Sequence, residues 1–540
     1  MRRFALVAAF LAACASVPAT APAPKPPSPT PAVALSEPPN DWHLLDDAAD
    51  HIPGISERRA ERELLVGKQP KRTVLVAVID NGVDTSHVDL RTNLWTNPRE
   101  TAGNGKDDDA NGYTDDVRGW DFIGGRDGRN VDHDTFEVTR LFARCGAGGA
   151  VPDSLSGGDK ALCPQIVQDF TKKKDEVDRT LAKVREFQNL FSNIDPLLRQ
   201  EARTDSLTKE KVEALRPTSP DVQQARSIYL QLAAAGISPP MLAEAKTAYE
   251  SQALYSLNPK YDPRPIVGDN PANLAERSYG NSDVTGPGAK HGTHVSGIIG
   301  AVRGNNVGID GIAPAVRIMA VRAVPDGDER DKDIANAIRY AVDNGAQVIN
   351  MSFGKAYSPQ KAAVDDAVRY ADSKGVLMVH AAGNDGEDAA KHASFPTPFY
   401  LSGGRAQNWI EVGASGWRRG DSLVANFSNY GQNQVDVFAP GVDIYSTVPK
   451  GYEKDSGTSM ASPVVAGLAA LIMSYYPQFS ASDVKRIILQ SVTKYPNLMV
   501  VRPGSENGDK VDFSTLSQTG GIVNAYAALK LADEMSKLHP

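Results

Sequence analysis

The sequence predicts an α/β fold built on a central, mostly parallel sheet, and two observations carry that expectation. Val74-Leu-Val-Ala-Val-Ile79 is a continuous apolar run rich in Val and Ile, the pattern of a strand buried on both faces. Further along, the chain alternates: a strand over 316–321, a helix over 331–344 closed by Gly345, a strand over 347–351, a helix over 358–374 closed by Gly375, and a strand over 376–381. Such a rhythm implies parallel strands whose connecting helices cover the faces of the sheet. At 540 residues the chain exceeds what one compact core needs. Its 41% hydrophobic and 23% charged residues are ordinary for a globular protein. A net charge of -8 leaves no basic footprint, which argues against nucleic acid as a partner.

Parallel-sheet enzymes place their chemistry at the carboxyl ends of strands. Asp80 stands at the end of the first strand, Ser352-Phe353-Gly354 after a later one, and Gly383-Asn384-Asp385 after another. An Asn there can donate its amide to a developing oxyanion, although Gly-Asn is also a common turn pair. Lys290-His-Gly-Thr-His-Val-Ser-Gly-Ile-Ile-Gly300 follows a glycine-rich approach and opens a helix. His291 and His294 share one face of it, but the Glu of a His-Glu-x-x-His zinc motif is missing. Gly457-Thr-Ser-Met-Ala-Ser-Pro463 then runs into Val464-Val-Ala-Gly-Leu-Ala-Ala-Leu-Ile-Met473, a helix apolar all round and therefore buried. Pro463 is tolerated in its first turn, and Pro477 lies beyond its end. Ser459 so lies at the positive end of a helix dipole, where free N–H groups face an anion. A Ser/Thr cap on a core helix is the plainer reading of that stretch taken alone.

Taken together, Asp80, His291 and Ser459 come in the order acid, base, nucleophile. Val78-Ile-Asp-Asn-Gly-Val83, His291-Gly-Thr-His-Val-Ser-Gly297, Ala381-Ala-Gly-Asn384 and the Ser459 stretch all resemble the subtilisin-like serine protease family. The resemblance covers roughly 42–125 and 271–531. It implies a subtilisin-like three-layer fold for residues 41–540 and peptide-bond hydrolysis through an acyl-enzyme. By resemblance, Ser459 attacks the carbonyl, His291 moves the proton, Asp80 orients the imidazole, and Asn384 with the Ser459 N–H binds the oxyanion. Ser352, Phe353 and Gly354 pair with the substrate main chain as an added strand, and His294 falls on a family position that is not catalytic. Protein or peptide substrates follow, and no cofactor is required for the chemistry. A pseudoprotease that binds peptides without cleaving them is the alternative; a missing triad member would favour it, and none is missing.

Asp80 and His291 stand 211 positions apart because a stretch of different character, 127–270, lies between them. There Ile166, Phe170, Val177, Leu181, Val184, Phe191 and Ile194 recur at helical spacings, predicting one long amphipathic helix. Shorter helices follow over 220–235 and 240–257, so the insertion reads as a helical hairpin or small bundle without chemistry of its own. The family's usual prodomain has no room between the proline-rich stretch and Thr73. Folding therefore proceeds without one, or the insertion substitutes for it.

At the amino terminus, Met1-Arg2-Arg3 and the apolar residues 4–13 make a secretory signal too short to span a bilayer. Leu11-Ala-Ala-Cys14 resembles the bacterial lipoprotein box, which implies cleavage before Cys14, lipidation of its thiol, and a membrane-held protein in the cell envelope; an ordinary signal peptide with a chance cysteine is the other reading. Nine prolines within residues 18–39 make 15–40 an extended linker. Cys145 and Cys163, in an exported chain, form a disulfide or remain two thiols. Finally, Asp107, Asp109 and Asn111 alternate ahead of Gly112, with Asp115 after it, a pattern that suits calcium. Arg118 stands where an EF-hand has its bidentate Glu, so a solvated acidic turn is equally open. Oligomeric state and side-chain preference are not legible.

Overall fold

The computed structural model describes residues 36–149, 151–152 and 157–538. Cys14 and most of the proline-rich stretch lie outside the described residues. The chain divides into two compact units: Val138–Tyr261, and Ser36–Glu137 with Asp262–Pro540.

Among the described residues, the larger unit holds thirteen strands. They are β1 (Val74–Asp80), β2 (Gly119–Asp121), β3 (Val316–Arg322), β4 (Val348–Met351), β5 (Leu377–Ala381), β6 (Trp409–Ser415), β7 (Val437–Pro440), β8 (Ile444–Val448), β9 (Gly451–Asp455), β10 (Thr493–Lys494), β11 (Met499–Val501), β12 (Lys510–Asp512) and β13 (Gly521–Ile522). Nine of them form one sheet in the order β10-β13-β7-β6-β5-β4-β1-β3-β2. All its pairings are parallel except β10 with β13. The expected α/β architecture with a central, mostly parallel sheet is what the structure has.

Two apolar layers sandwich that sheet, and alternation along each strand decides which layer a residue joins. Val74, Val76 and Val78 of β1 pack with the helices Lys290–Gly300, Thr458–Tyr475, Ala481–Gln490 and Ala525–Leu538. Ala77 and Ile79 face the helices Asp331–Asp343 and Lys361–Ser373. A strand with apolar neighbours on both sides has no polar face to show, which explains its continuous apolar run. Thr458–Tyr475 is apolar enough to cross a membrane by length and composition, yet 94% of it is buried inside the protein. It is the core helix of the sandwich.

The segment ahead of β1 belongs to the same core. Trp42, Leu44, Ile55, Ala60 and Leu65 are buried in it. The Trp42 indole donates to the Val442 carbonyl at 3.1 Å, and the Ala525 N–H donates to the Ile55 carbonyl at 2.6 Å.

The described residues of the smaller unit form helices and their connecting turns, led by Gly157–Ala202, a single helix of 46 residues. Val184, Phe191, Ile194 and Leu198 along one face pack on Pro220–Ala234 and Pro239–Ser251 through Val222, Tyr229, Leu232 and Leu242. Its bounds are narrower than the 127–270 read from the sequence. Residues 127–137 and 262–270 pack with the larger unit, where buried Arg264 is held by Asp269 at 2.5 Å and Asp333 at 2.6 Å. A guanidinium at the end of a charged stretch looks like a surface residue in sequence, and only its partners reveal burial. Cys145 and Cys163 are joined as a disulfide with Cα atoms 5.6 Å apart, tying Glu137–Arg144 to the start of the long helix.

Candidate active site

Asp80 ends β1 and is almost fully buried. Its Oδ1 accepts from His291 Nδ1 at 2.7 Å and from the Asn81 N–H at 2.8 Å. A carboxylate facing Nδ1 places the proton there and leaves Nε2 with its lone pair. The His291 helix starts against this turn because Asn81 Oδ1 accepts the Gly292 N–H at 2.9 Å. Gly292 is required for the approach: a Cβ there would stand 2.3 Å from the Gly82 carbonyl oxygen. Partial burial pulls the proton affinity of His291 down, but the Asp80 charge and hydrogen bond outweigh it, so the imidazole titrates above its ordinary value.

His294, three residues on, does something else. Its Nε2 lies 3.0 Å from the Ile444 carbonyl and 3.1 Å from that of Glu453, so it donates to both strands of the β8–β9 hairpin. Burial lowers its pKa to about 4, and it stays neutral.

Ser459 is the one residue of Thr458–Tyr475 that is not buried. Its hydroxyl donates to the Ser352 carbonyl at 3.0 Å, while the Ser352 hydroxyl donates to the Ser459 carbonyl at 2.9 Å. Behind them, Asn350 Nδ2 donates to Ser352 Oγ and Ser462 Oγ donates to Asn350 Oδ1, at 3.0 and 2.9 Å. This buried network locks the helix start onto the end of β4. The Ser459 hydroxyl is therefore held by the Ser352 carbonyl in this structure.

Asn384 is oriented by Thr458. Its Oδ1 accepts the Thr458 N–H at 2.8 Å and the Thr458 hydroxyl at 3.0 Å, and that hydroxyl accepts the Gly383 N–H at 3.1 Å. Since a backbone N–H can only donate, the oxygen end must face Thr458, and Nδ2 points the other way. Neither Asn384 Nδ2 nor the Ser459 N–H has a partner among the described residues. Both flank one notch: a Cβ on Gly457 would lie 3.5 Å from Asn384 Nδ2 and 3.6 Å from the Ser459 nitrogen. Gly457 keeps that notch open for an oxygen. Asn429, buried, holds the Asn384 loop from below by accepting the Asp385 and Glu387 N–H groups, both at 3.0 Å. Thr458 and Asn429 escape a sequence reading because they look like ordinary turn-formers.

Ser352, Phe353 and Gly354 run beside Ser459, and Gly354 is exposed. The acidic loop is arranged differently from the set read in sequence. Asp107 caps its own turn through the Asn111 and Gly112 N–H groups, Asp115 accepts from Asn104 and Gly105, and the Asn111 oxygen accepts the Tyr113 N–H. Of the four, Asp109 brings its carboxylate within 4.8 Å of those of Glu100 and Asp116, and Asn111 Nδ2 donates to Asp116 at 3.0 Å. Burial pushes the Asp116 carboxyl up to about 6. Arg99 also reaches Asp109, at 3.1 Å.

Residues 71–510 match the Subtilase family. The chain is 49% identical over 186 residues to a thermophilic serine proteinase of Bacillus sp. (strain AK1), covering 34% of this chain and 42% of that one. It is 37% identical over 272 residues to thermitase of Thermoactinomyces vulgaris, covering 49% and 85% of the two chains. To subtilisin DY of Bacillus licheniformis it is 38% identical over 223 residues, covering 41% and 74%. With a family match over most of its length and a parallel-sheet fold of the expected kind, the chain belongs to the subtilase family of subtilisin-like serine proteases.

Proposed function

We propose that this protein is a serine endopeptidase using Ser459 as nucleophile, His291 as general base and then acid, Asp80 as its orienting carboxylate, and Asn384 with the Ser459 N–H as oxyanion donors. Three observations carry the reading: the Asp80–His291 hydrogen bond, the half-buried Ser459 at a helix start, and two unpartnered N–H donors flanking one notch. Attack by Ser459 Oγ passes its proton to His291 Nε2 while Asp80 stabilises the imidazolium. Negative charge then grows on the carbonyl oxygen, which enters the notch between Asn384 Nδ2 and the Ser459 N–H. Collapse releases the amine with the proton from His291, and water completes the cycle through the same base. The substrate main chain aligns along Ser352, Phe353 and Gly354. A serine-reactive phosphonate tests the reading: it labels Ser459 in the folded protein, and His291→Ala suppresses labelling. Labelling that is absent, or indifferent to His291, leaves the peptide-binding pseudoprotease instead.

The chain's working place is proposed to be the bacterial cell envelope, held to the membrane by lipidated Cys14 with 15–40 as a linker. Partitioning into a detergent phase that Cys14→Ser does not abolish would refute the anchor. Calcium is proposed as a structural ion at the acidic loop. Three converging carboxylate oxygens suit a hard cation, with Glu100 and Asp116 joining Asp109 in place of Asp107, Asn111 and Asp115. Titration of calcium into chelator-treated protein should give binding heat and a higher melting temperature, and Asp109→Asn should weaken both. No heat and no shift would reject the site.

A further inference from the structure

We infer that His380, held by Glu411, is a positioning residue that aims the Gly354 N–H at the substrate, an assignment resting on the protease reading above. His380 interrupts the apolar strand β5 and is wholly buried, so its polar ring needs partners. Its Nε2 lies 2.9 Å from the Phe353 carbonyl oxygen, and a carbonyl only accepts, so Nε2 carries a hydrogen. On the other side, Nδ1 lies 2.8 Å from Glu411 Oε1 on β6, its register partner. Glu411 Oε2 in turn accepts the Trp409 indole N–H at 2.7 Å. A line of hydrogen bonds thus runs from Trp409 through Glu411 and His380 to one carbonyl of the segment beside Ser459.

That carbonyl matters because of the peptide unit to which it belongs. A trans peptide points its C=O and N–H in opposite directions. Holding the Phe353 C=O inward on His380 therefore turns the Gly354 N–H the opposite way, and Gly354 is exposed. Neither the N–H nor the C=O of Gly354 has a partner among the described residues, so both are open to a peptide main chain. Phe353 lies past the last ladder residue of β4, and the Lys355–Phe395 bridge that follows bonds Lys355, not the Phe353–Gly354 peptide unit. Hydrogen bonding at the C=O also polarises the same amide and strengthens its N–H as a donor. For stability alone an apolar pair on β5 and β6 would serve as well, since buried ionisable pairs return little net stabilisation. Their geometric role is to set the segment's orientation before substrate arrives, so that binding does not have to order it.

The test compares two substrates of different reach. A fluorogenic hexapeptide uses the Gly354 main chain, whereas p-nitrophenyl acetate needs only Ser459, His291 and the oxyanion notch. His380→Ala should lower kcat/KM for the hexapeptide about tenfold, mostly through KM, consistent with loss of one well-placed hydrogen bond. Ester hydrolysis should stay within twofold. His380→Gln, which keeps an N–H donor in reach, should recover most of the loss. An equal loss on both substrates, or an unchanged hexapeptide rate in folded His380→Ala, overturns the assignment. If His380→Ala does not fold, Glu411→Gln is to show the same split at smaller size, and an even loss there overturns it too. Absence of ester hydrolysis in the unmodified protein would instead refute the protease reading itself.

Discussion

Ser459→Ala is expected to lower kcat on the order of 10⁶-fold, the scale seen when a nucleophile that acts as one unit with its base is removed. The geometry explains why so much rests on one oxygen. Ser459 is the one residue of its helix that is not buried, and its hydroxyl rests on the Ser352 carbonyl. His291→Ala should cost about as much, and the double change no more, because each single change already dismantles the unit. Asn384→Leu should cost only ~10²–10³ in kcat, since the Ser459 N–H remains in the notch. Turnover measured on the hexapeptide against active-site concentration checks all three. Retention of more than a hundredth of the rate by Ser459→Ala would remove it as nucleophile.

Asp80→Asn is expected to cost about 10⁴ in kcat near neutral pH, because an amide in that place can offer its N–H to Nδ1 and select the wrong tautomer. It should also move the pH profile. With Asp80 in place the His291 pKa lies above the ordinary ~6.5, so kcat/KM must fall on acidification through a value above that figure. Without the carboxylate, the acid limb shifts to lower pH. The same shift has the opposite sign for stability. A group whose pKa is raised by folding contributes stability fully below the unfolded value, and loses it as pH rises through the folded one. Mild acid therefore silences His291 as a base while favouring its charged pairing with Asp80. A rate that stays flat between pH 8 and 5 would contradict the assignment of the base.

How much was legible in the sequence depended on whether a residue's partners were close in the chain. β1 could be read because burial on both faces leaves an uninterrupted apolar run, and Asp80 could be read because that run stops at it. The Ser459 helix was visible for the same reason. Thr458, Asn429, Asn350 and Ser462 were not, since small polar residues near glycines look alike whether they hold an oxyanion donor or simply turn the chain. The acidic loop shows the limit most plainly. Its alternating Asp and Asn residues satisfied their own turn, and the carboxylates that gather come from Glu100 and Asp116 as well as Asp109. His380 was hidden inside a strand whose other residues are apolar. The long amphipathic helix was legible from spacing, whereas the limits of the helical unit depended on ion pairs such as Arg264 with Asp333, which no local pattern announces.

The burial of 42–65 has a consequence for how the polypeptide must be handled while it is made. The Trp42 indole finds its acceptor 400 positions downstream at Val442, and the Ile55 carbonyl finds its donor at Ala525. Closing such distant contacts is slow, and the reward arrives only after the loop has been closed. A ribosome or translocation channel feeding the chain from its amino end would thus release the first docking segment long before its seat exists. The apolar side chains of that segment lack their native partners until Val442 and Ala525 emerge, and they need shielding for that interval. Docking of 42–65 therefore waits on residues as far along the chain as Val442 and Ala525.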